Sequence, residues 1–202
     1  MKNEAFVIGG SSGIGFNIAK RLSKKNYNIS IASSNFTKLI KAKKNIEKNS
    51  NAKVSIFKVN LLNDNEIKIF LKKLGNSKKN YTFIMYCVGK AFYGDFIKSS
   101  DKNNEEIIKL NINSYVKIIY FFIKHMKRHG KLSYIVSLGS LAGYVPNPKL
   151  LLYGTTKKFI EFFSLVLREN LKNTNINVSL VTPGQTDTDF LKKTKFKNLN
   201  SD

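Results

Sequence analysis

Short, solidly apolar runs alternate along this chain with longer stretches in which apolar residues recur every three or four positions. The first pattern predicts buried strands and the second amphipathic helices. Residues 5–8 read as a strand, followed by the turn Gly9-Gly10-Ser11-Ser12-Gly13-Ile14-Gly15 and a helix over 13–25 with Ile14, Ile18, Ala19 and Leu22 on one face. Asn26 ends that helix. A strand at 28–32, a polar turn at Ser33-Ser34-Asn35 and a lysine-rich helix over 37–48 follow. Next come a strand at 54–59, a helix over 64–74 that Asp64 can cap, and a nearly all-apolar strand at 82–88.

A single long helix is expected over 102–128, with Ile107, Ile108, Leu110, Ile112, Val116, Ile119 and Ile123 as its apolar stripe and Gly130 as its stop. A strand at 132–137, a helix over 153–171 and a strand at 177–182, closed by Pro183-Gly184, complete the regular part. Strictly alternating strands and helices with right-handed crossovers give an α/β fold: one doubly wound parallel sheet of about six strands, with ligands at the strands' carboxyl ends. The expected organisation is one domain over 1–190 and a frayed lysine- and asparagine-rich tail over 191–202.

Composition adds limits. The 202 residues suffice for a core without staples, and the single cysteine, Cys87, excludes a disulfide framework within the chain. Cys87 lies in an apolar run and reads as a small core residue rather than a nucleophile. The first strand begins almost at once, leaving no room for a signal sequence, and the longest apolar run (118–123) is too short to span a bilayer. A cytoplasmic protein without a membrane partner is expected. The formal charge of +22 raises nucleic-acid binding. Yet the excess is lysine scattered over every helix, with Arg21, Arg128 and Arg168 the only arginines, so a solvated lysine surface is expected and no specific nucleic-acid partner.

The glycine turn can bring backbone close to a diphosphate and offer it the free amides of a helix start, although a glycine cluster alone also suits an empty loop. Tyr153 and Lys157 share a helix face one turn apart, but Tyr86/Lys90 and Tyr120/Lys124 repeat the spacing. Ser140 distinguishes the first pair. It lies 13 positions before Tyr153 (153 − 140), on the loop after the fifth strand, where the other tyrosines have Lys73 and Ile107. His125 and His129, one turn apart at a basic helix end without an acidic partner, read as a surface feature and not as metal ligands.

Together these segments resemble the short-chain dehydrogenase/reductase family from the N-terminus to about Phe190. The glycine segment matches its cofactor motif, Asn111 its helix asparagine, and Ile135-Val136-Ser137-Leu138-Gly139-Ser140 its serine strand. Tyr153-Gly154-Thr155-Thr156-Lys157 matches its catalytic motif and Pro183-Gly184-Gln185-Thr186-Asp187-Thr188 its Pro-Gly-x-x-x-Thr segment. The resemblance implies an oxidoreductase that moves a hydride between a nicotinamide cofactor and a carbonyl or alcohol. It assigns Tyr153 as proton donor, Lys157 as its tuning cation and ribose ligand, Ser140 as the group polarising the carbonyl, and Asn111 as support for a water relay. Bringing a phenol from a pKa of about 10 to neutrality takes roughly 4 kcal/mol, within reach of a nearby ammonium and an oxidised nicotinamide.

The implied cofactor contacts are Gly9, Ser11, Ser12, Gly13, Ile14, Gly15, Ser33, Ser34, Asn35, Asn60, Leu61, Gly89, Tyr153, Lys157, Pro183, Gly184, Thr186 and Thr188. No acid follows the second strand to bind ribose hydroxyls. Ser33, Ser34 and Asn35, with Lys38 and Lys41 nearby, favour NADP(H) and leave NAD(H) open, although the usual arginine is missing and the same residues suit a plain turn and helix cap. Tyr86-Cys87-Val88-Gly89 replaces the family's Asn-Asn-Ala-Gly, whose asparagines steady the sheet. Many members run about fifty residues longer, so a more open substrate pocket (141–152 and 185–196) and a homodimer through the helices 102–128 and 153–171 are expected. The implied substrate class is a small carbonyl or alcohol, with an acyl thioester as a further option, and the pocket segments name no particular one. The alternative function is a catalytically impaired nucleotide-binding regulator or scaffold.

Overall fold

In the computed structural model, which describes residues 2–184 and 186, six parallel strands form one sheet in the order β3-β2-β1-β4-β5-β6. The strands are β1 (Asn3–Ile8), β2 (Tyr27–Ser33), β3 (Val54–Lys58), β4 (Tyr81–Tyr86), β5 (Ser133–Leu138) and β6 (Ile176–Val181). Between them run α1 (Gly13–Ser23), α2 (Phe36–Lys48), α3 (Asp64–Gly75), α4 (Asp101–Ile108), α5 (Ser114–His129) and α6 (Leu151–Leu171). The expected doubly wound architecture is therefore observed, with cores on both sheet faces. One packs Ala5, Val7, Ile29 and Ile31 under α1 and α2. The other packs Phe6, Ile8, Ile84, Ile118, Phe122 and Ile160 under α3, α5 and α6. Strand order reverses between β1 and β4, and the carboxyl ends on either side of that point leave a crevice.

Two elements differ from expectation. The helix over 102–128 is broken by a π turn at Lys109–Asn113, which divides α4 from α5. Its extra residue rotates the helix face, so the buried positions are Ile107, Asn111, Ser114, Tyr115, Ile118, Ile119, Phe122, His125 and Met126. Ile108 is exposed, and Ile112, Val116 and Ile123 are only partly buried. A period of 3.6 carried straight through cannot reveal such an insertion. Second, Asn63 caps α3 and not Asp64, its side chain accepting the amides of Asn65 and Glu66 at 3.0 and 3.2 Å.

Candidate active site

The turn after β1 is shaped by a close approach. A Cβ on Gly15 would stand 2.4 Å from the Gly9 carbonyl oxygen, so only glycine lets α1 press against the turn. Ser12, the N-cap of α1, makes no capping hydrogen bond through its side chain, whereas Asn35, Asn63 and Ser100 cap α2, α3 and α4. The first amides of α1 are thus left for a ligand. They border a cleft of about 310 Å³ at the strand-order reversal. Of the residues expected to contact cofactor, Gly9, Ser11, Ser12, Gly13, Ile14, Gly15, Ser33, Ser34, Asn60, Leu61 and Gly89 line it. A narrow cradle of glycines and hydroxyls ending in open amides fits a dinucleotide diphosphate.

The remaining cofactor residues stand elsewhere. Asn35 lies beside the cleft with its Oδ1 held by the Lys38 amide at 2.8 Å, a helix cap. Pro183 and Gly184 follow β6, where the Pro183 carbonyl accepts the Leu141 amide at 3.3 Å. Thr186 is exposed and its hydroxyl donates to the Gly184 carbonyl at 3.1 Å. Thr188, the segment 185–196 apart from Thr186, and the tail over 191–202 lie outside the described residues. The cleft also takes in Ala32, Val59, Leu62, Cys87, Val88, Leu110 and Leu138, which the sequence reading did not assign to it. The rule that ligands sit at carboxyl ends of strands finds several of these, since they end or follow β2, β3, β4 and β5.

Ser140, Tyr153 and Lys157 stand next to this cleft without lining it, Lys157 lying against the lining residues Gly89 and Leu138. Ser140 caps the short turn Leu141–Gly143 after β5, its Oγ accepting the Ala142 amide at 3.2 Å, and it hydrogen-bonds the Tyr153 hydroxyl. Tyr153 and Lys157 occupy the first two turns of α6, which begins two residues earlier than expected. Gly154 fixes that helix in place: a Cβ there would lie 2.5 Å from the Ala142 carbonyl oxygen, so α6 packs directly on the turn that carries Ser140. The ammonium of Lys157 stands 5.6 Å from the centre of the Tyr153 ring and donates to the Leu138 carbonyl at 2.8 Å.

Burial sets the electrostatics. It raises the Tyr153 hydroxyl above the ordinary tyrosine pKa, with the Ser140 hydrogen bond pulling back, and it lowers Lys157 to about 8. Among the protein's own groups, the balance thus keeps Tyr153 protonated and does not yield the lowered phenol. Cys87, near Lys157 and part of the cleft lining, is pushed up to about 12 by burial, which keeps its thiol protonated.

Asn111 sits in the π turn, fully buried. Its Oδ1 accepts the Lys90 amide at 2.8 Å, and its Nδ2 donates to the Lys90 carbonyl and the Thr156 hydroxyl, each at 2.9 Å. The side chain therefore ties the loop after Gly89 to α6. Tyr86 supports the same turn from β4, its hydroxyl donating to the Leu110 carbonyl at 3.0 Å and lying 2.7 Å from Ser114 Oγ. The phenol that stands in place of the family's first asparagine thus ties β4 to the π turn. His125 needs correction too. It is buried, and its Nε2 accepts the Tyr81 amide at 3.3 Å, while His129 Nε2 lies 3.2 Å from the Tyr81 carbonyl. Among the described residues no group of three or more His, Cys, Asp or Glu side chains is placed to hold a metal.

Comparison with known proteins agrees with this geometry. The short chain dehydrogenase family profile matches residues 3–198. The very-long-chain 3-oxoacyl-CoA reductase of Rattus norvegicus is 30% identical over 184 residues, covering 89% of this chain and 58% of that protein. Carbonyl reductase family member 4 of Xenopus laevis is 26% identical over 200 residues, covering 99% of this chain and 82% of that protein. The chain spans little more than half the length of the 3-oxoacyl-CoA reductases it matches. A short-chain dehydrogenase from Sphingobium yanoikuyae, solved in complex with NADPH, superposes with a TM-score of 0.92 at 22% identity, covering 98% of this chain and 78% of that one. With the glycine cleft and the Ser-Tyr-Lys cluster in place, the profile match shows that the chain belongs to the short chain dehydrogenase family.

Proposed function

We propose that this protein is an NADP(H)-preferring oxidoreductase interconverting a carbonyl and an alcohol. The observation that carries the reading is that Ser140, Tyr153 and Lys157 come together beside a glycine-rimmed cleft, Lys157 against its lining residues Gly89 and Leu138. A reduced nicotinamide cofactor held by the glycine turn and Ser33, Ser34 and Asn60 of the cleft would supply hydride to the carbonyl carbon. Tyr153, kept protonated by burial, delivers its proton to the carbonyl oxygen, and Ser140 donates a hydrogen bond to that oxygen as negative charge grows. Lys157 is held by the Leu138 carbonyl under the Tyr153 ring, so its charge opposes the burial penalty on the developing phenolate. The lysine also lies beside Gly89 of the cleft lining, where it would hold the ribose of the cofactor. Asn111 serves as a positioning residue that fixes the loop after Gly89 against α6 and so steadies the path by which Tyr153 is reprotonated.

The preference for NADP(H) rests on Ser33 and Ser34 lining the cleft where an acidic residue would repel a 2′-phosphate. The substrate is read as an acyl thioester with a long apolar chain. Leu141, Tyr144, Val145 and Leu151 are exposed around the turn that carries Ser140, and several of the matched relatives are 3-oxoacyl-CoA reductases. A homodimer is proposed through Phe159, Phe162 and Val166 of α6 together with the partly buried face of α5, and the free thiol of Cys87 suits the reducing cytoplasm. Among the described residues no helix is long and apolar enough to cross a membrane. Turnover of 3-oxoacyl thioesters of graded length with NADPH tests the assignment. Rates rising with chain length are expected, and activity confined to small polar carbonyls overturns the thioester reading.

A further inference from the structure

Beside the part of the cleft lined by Ser33 and Val59 stands a cation, Lys58, that does not itself line the cleft. In β3, Phe57 packs against Phe6 and Phe70, with ring centroids 5.3 and 5.7 Å apart, on the sheet face covered by α3 and α5. Its neighbour Ile56 packs on the opposite face, under α1 and α2. Alternation along the strand puts Lys58 on the α1/α2 face as well. The register partner of Lys58 in β2 is Ser33, which shares that face with Ile31. Ser33 and Val59 both line the cleft, so Lys58 is bracketed by lining residues across the sheet and along the chain. It is exposed, and among the described residues no carboxylate forms an ion pair with it. Lys41, by contrast, lies further along α2 and Asn35 is committed to capping that helix.

We infer that Lys58 reads the 2′-phosphate of NADP(H) and sets the cofactor preference, supplying from β3 the charge that no arginine supplies after β2. The inference rests on the NADP(H) reading above. A phosphate dianion at this rim gains attraction from the Lys58 ammonium and hydrogen bonds from the Ser33 and Ser34 hydroxyls. A ribose hydroxyl at the same place carries no charge and gains little from the ammonium.

The test is equilibrium binding, by calorimetry and cofactor fluorescence, of NADPH, NADH, 2′,5′-ADP and 5′-AMP to the wild type, Lys58→Gln, Lys58→Glu and Lys41→Gln. The wild type should bind NADPH more tightly than NADH. Lys58→Gln should weaken NADPH and 2′,5′-ADP about tenfold while leaving NADH and 5′-AMP within about twofold, a gap of about 1.4 kcal/mol. Lys58→Glu should reverse the preference and Lys41→Gln should behave as wild type. Unchanged melting curves separate these effects from misfolding, since Lys58 is exposed. Equal binding of NADPH and NADH by the wild type overturns the cofactor reading itself. A wild-type preference that survives Lys58→Gln overturns the role of Lys58 alone.

Discussion

Lys157 is buried beside the Tyr153 ring. Burial holds its pKa at about 8, below the ordinary 10.5, so its charged form costs stability below pH 8 and the cost fades as pH rises toward 10.5. Lys157→Met should therefore gain on the order of 1–2 kcal/mol in urea unfolding at pH 7, after losing the bond to Leu138, while abolishing reductase turnover. Lower stability would show that the ammonium is better compensated than its surroundings suggest. His125 makes a second residue-scale claim. Burial foremost, and then the charges of His129 and Arg128, hold it down to about 4 from 6.5, so the folded state prefers it neutral. Its contribution is present above pH 6.5 and is lost as pH falls toward 4, a change on the order of 3 kcal/mol in unfolding free energy. His125→Gln, which keeps an acceptor for the Tyr81 amide but does not titrate, should flatten that dependence in unfolding titrations across this range. An undiminished slope would place the acid sensitivity elsewhere.

At the scale of elements, the π turn at Lys109–Asn113 is where sequence reading and structure part. Its neighbours on either side are ordinary helix formers, and what holds the extra residue is long-range: Tyr86 from β4, the Lys90 main chain and Thr156 from α6. Tyr86→Phe should remove the phenol's bonds to the Leu110 carbonyl and Ser114, which still bond each other at 2.7 Å, and cost about 1 kcal/mol in equilibrium unfolding, with the fold kept. A cost near zero would mean that the turn is held by Asn111 and Ser114 without the phenol. Strands, the glycine turn and the order of Ser140, Tyr153 and Lys157 were legible because each depends on local periodicity or on residue types at fixed spacing. The roles of Gly154 and Tyr86 were not, because each is defined by one atom of a distant element, the Ala142 carbonyl and the Leu110 carbonyl. His125 was misplaced for a related reason: its partner, the start of β4, lies 44 residues away in the chain.

For the whole molecule, apolar surface is the feature the single chain leaves open. Phe162 is 68% exposed and Val166 52%, on a helix whose other face is deep in the core. Two copies joined through α5 and α6 would cover them despite a charge of +22 per chain, so a dimer at micromolar concentration is expected by light scattering and should dissociate in Phe162→Glu. A wild-type monomer would contradict it. The central claim, that the Ser140-Tyr153-Lys157 cluster reduces carbonyls with cofactor held in the glycine cleft, is tested most directly by NADPH oxidation with 3-oxoacyl thioesters, measured for wild type and Tyr153→Phe beside NADPH affinity. The account predicts turnover in the wild type, loss of at least about a hundredfold in the variant, and cofactor binding within a few-fold. Equal rates in both proteins, or NADPH binding without turnover in either, would contradict it and leave a nucleotide-binding protein without this chemistry.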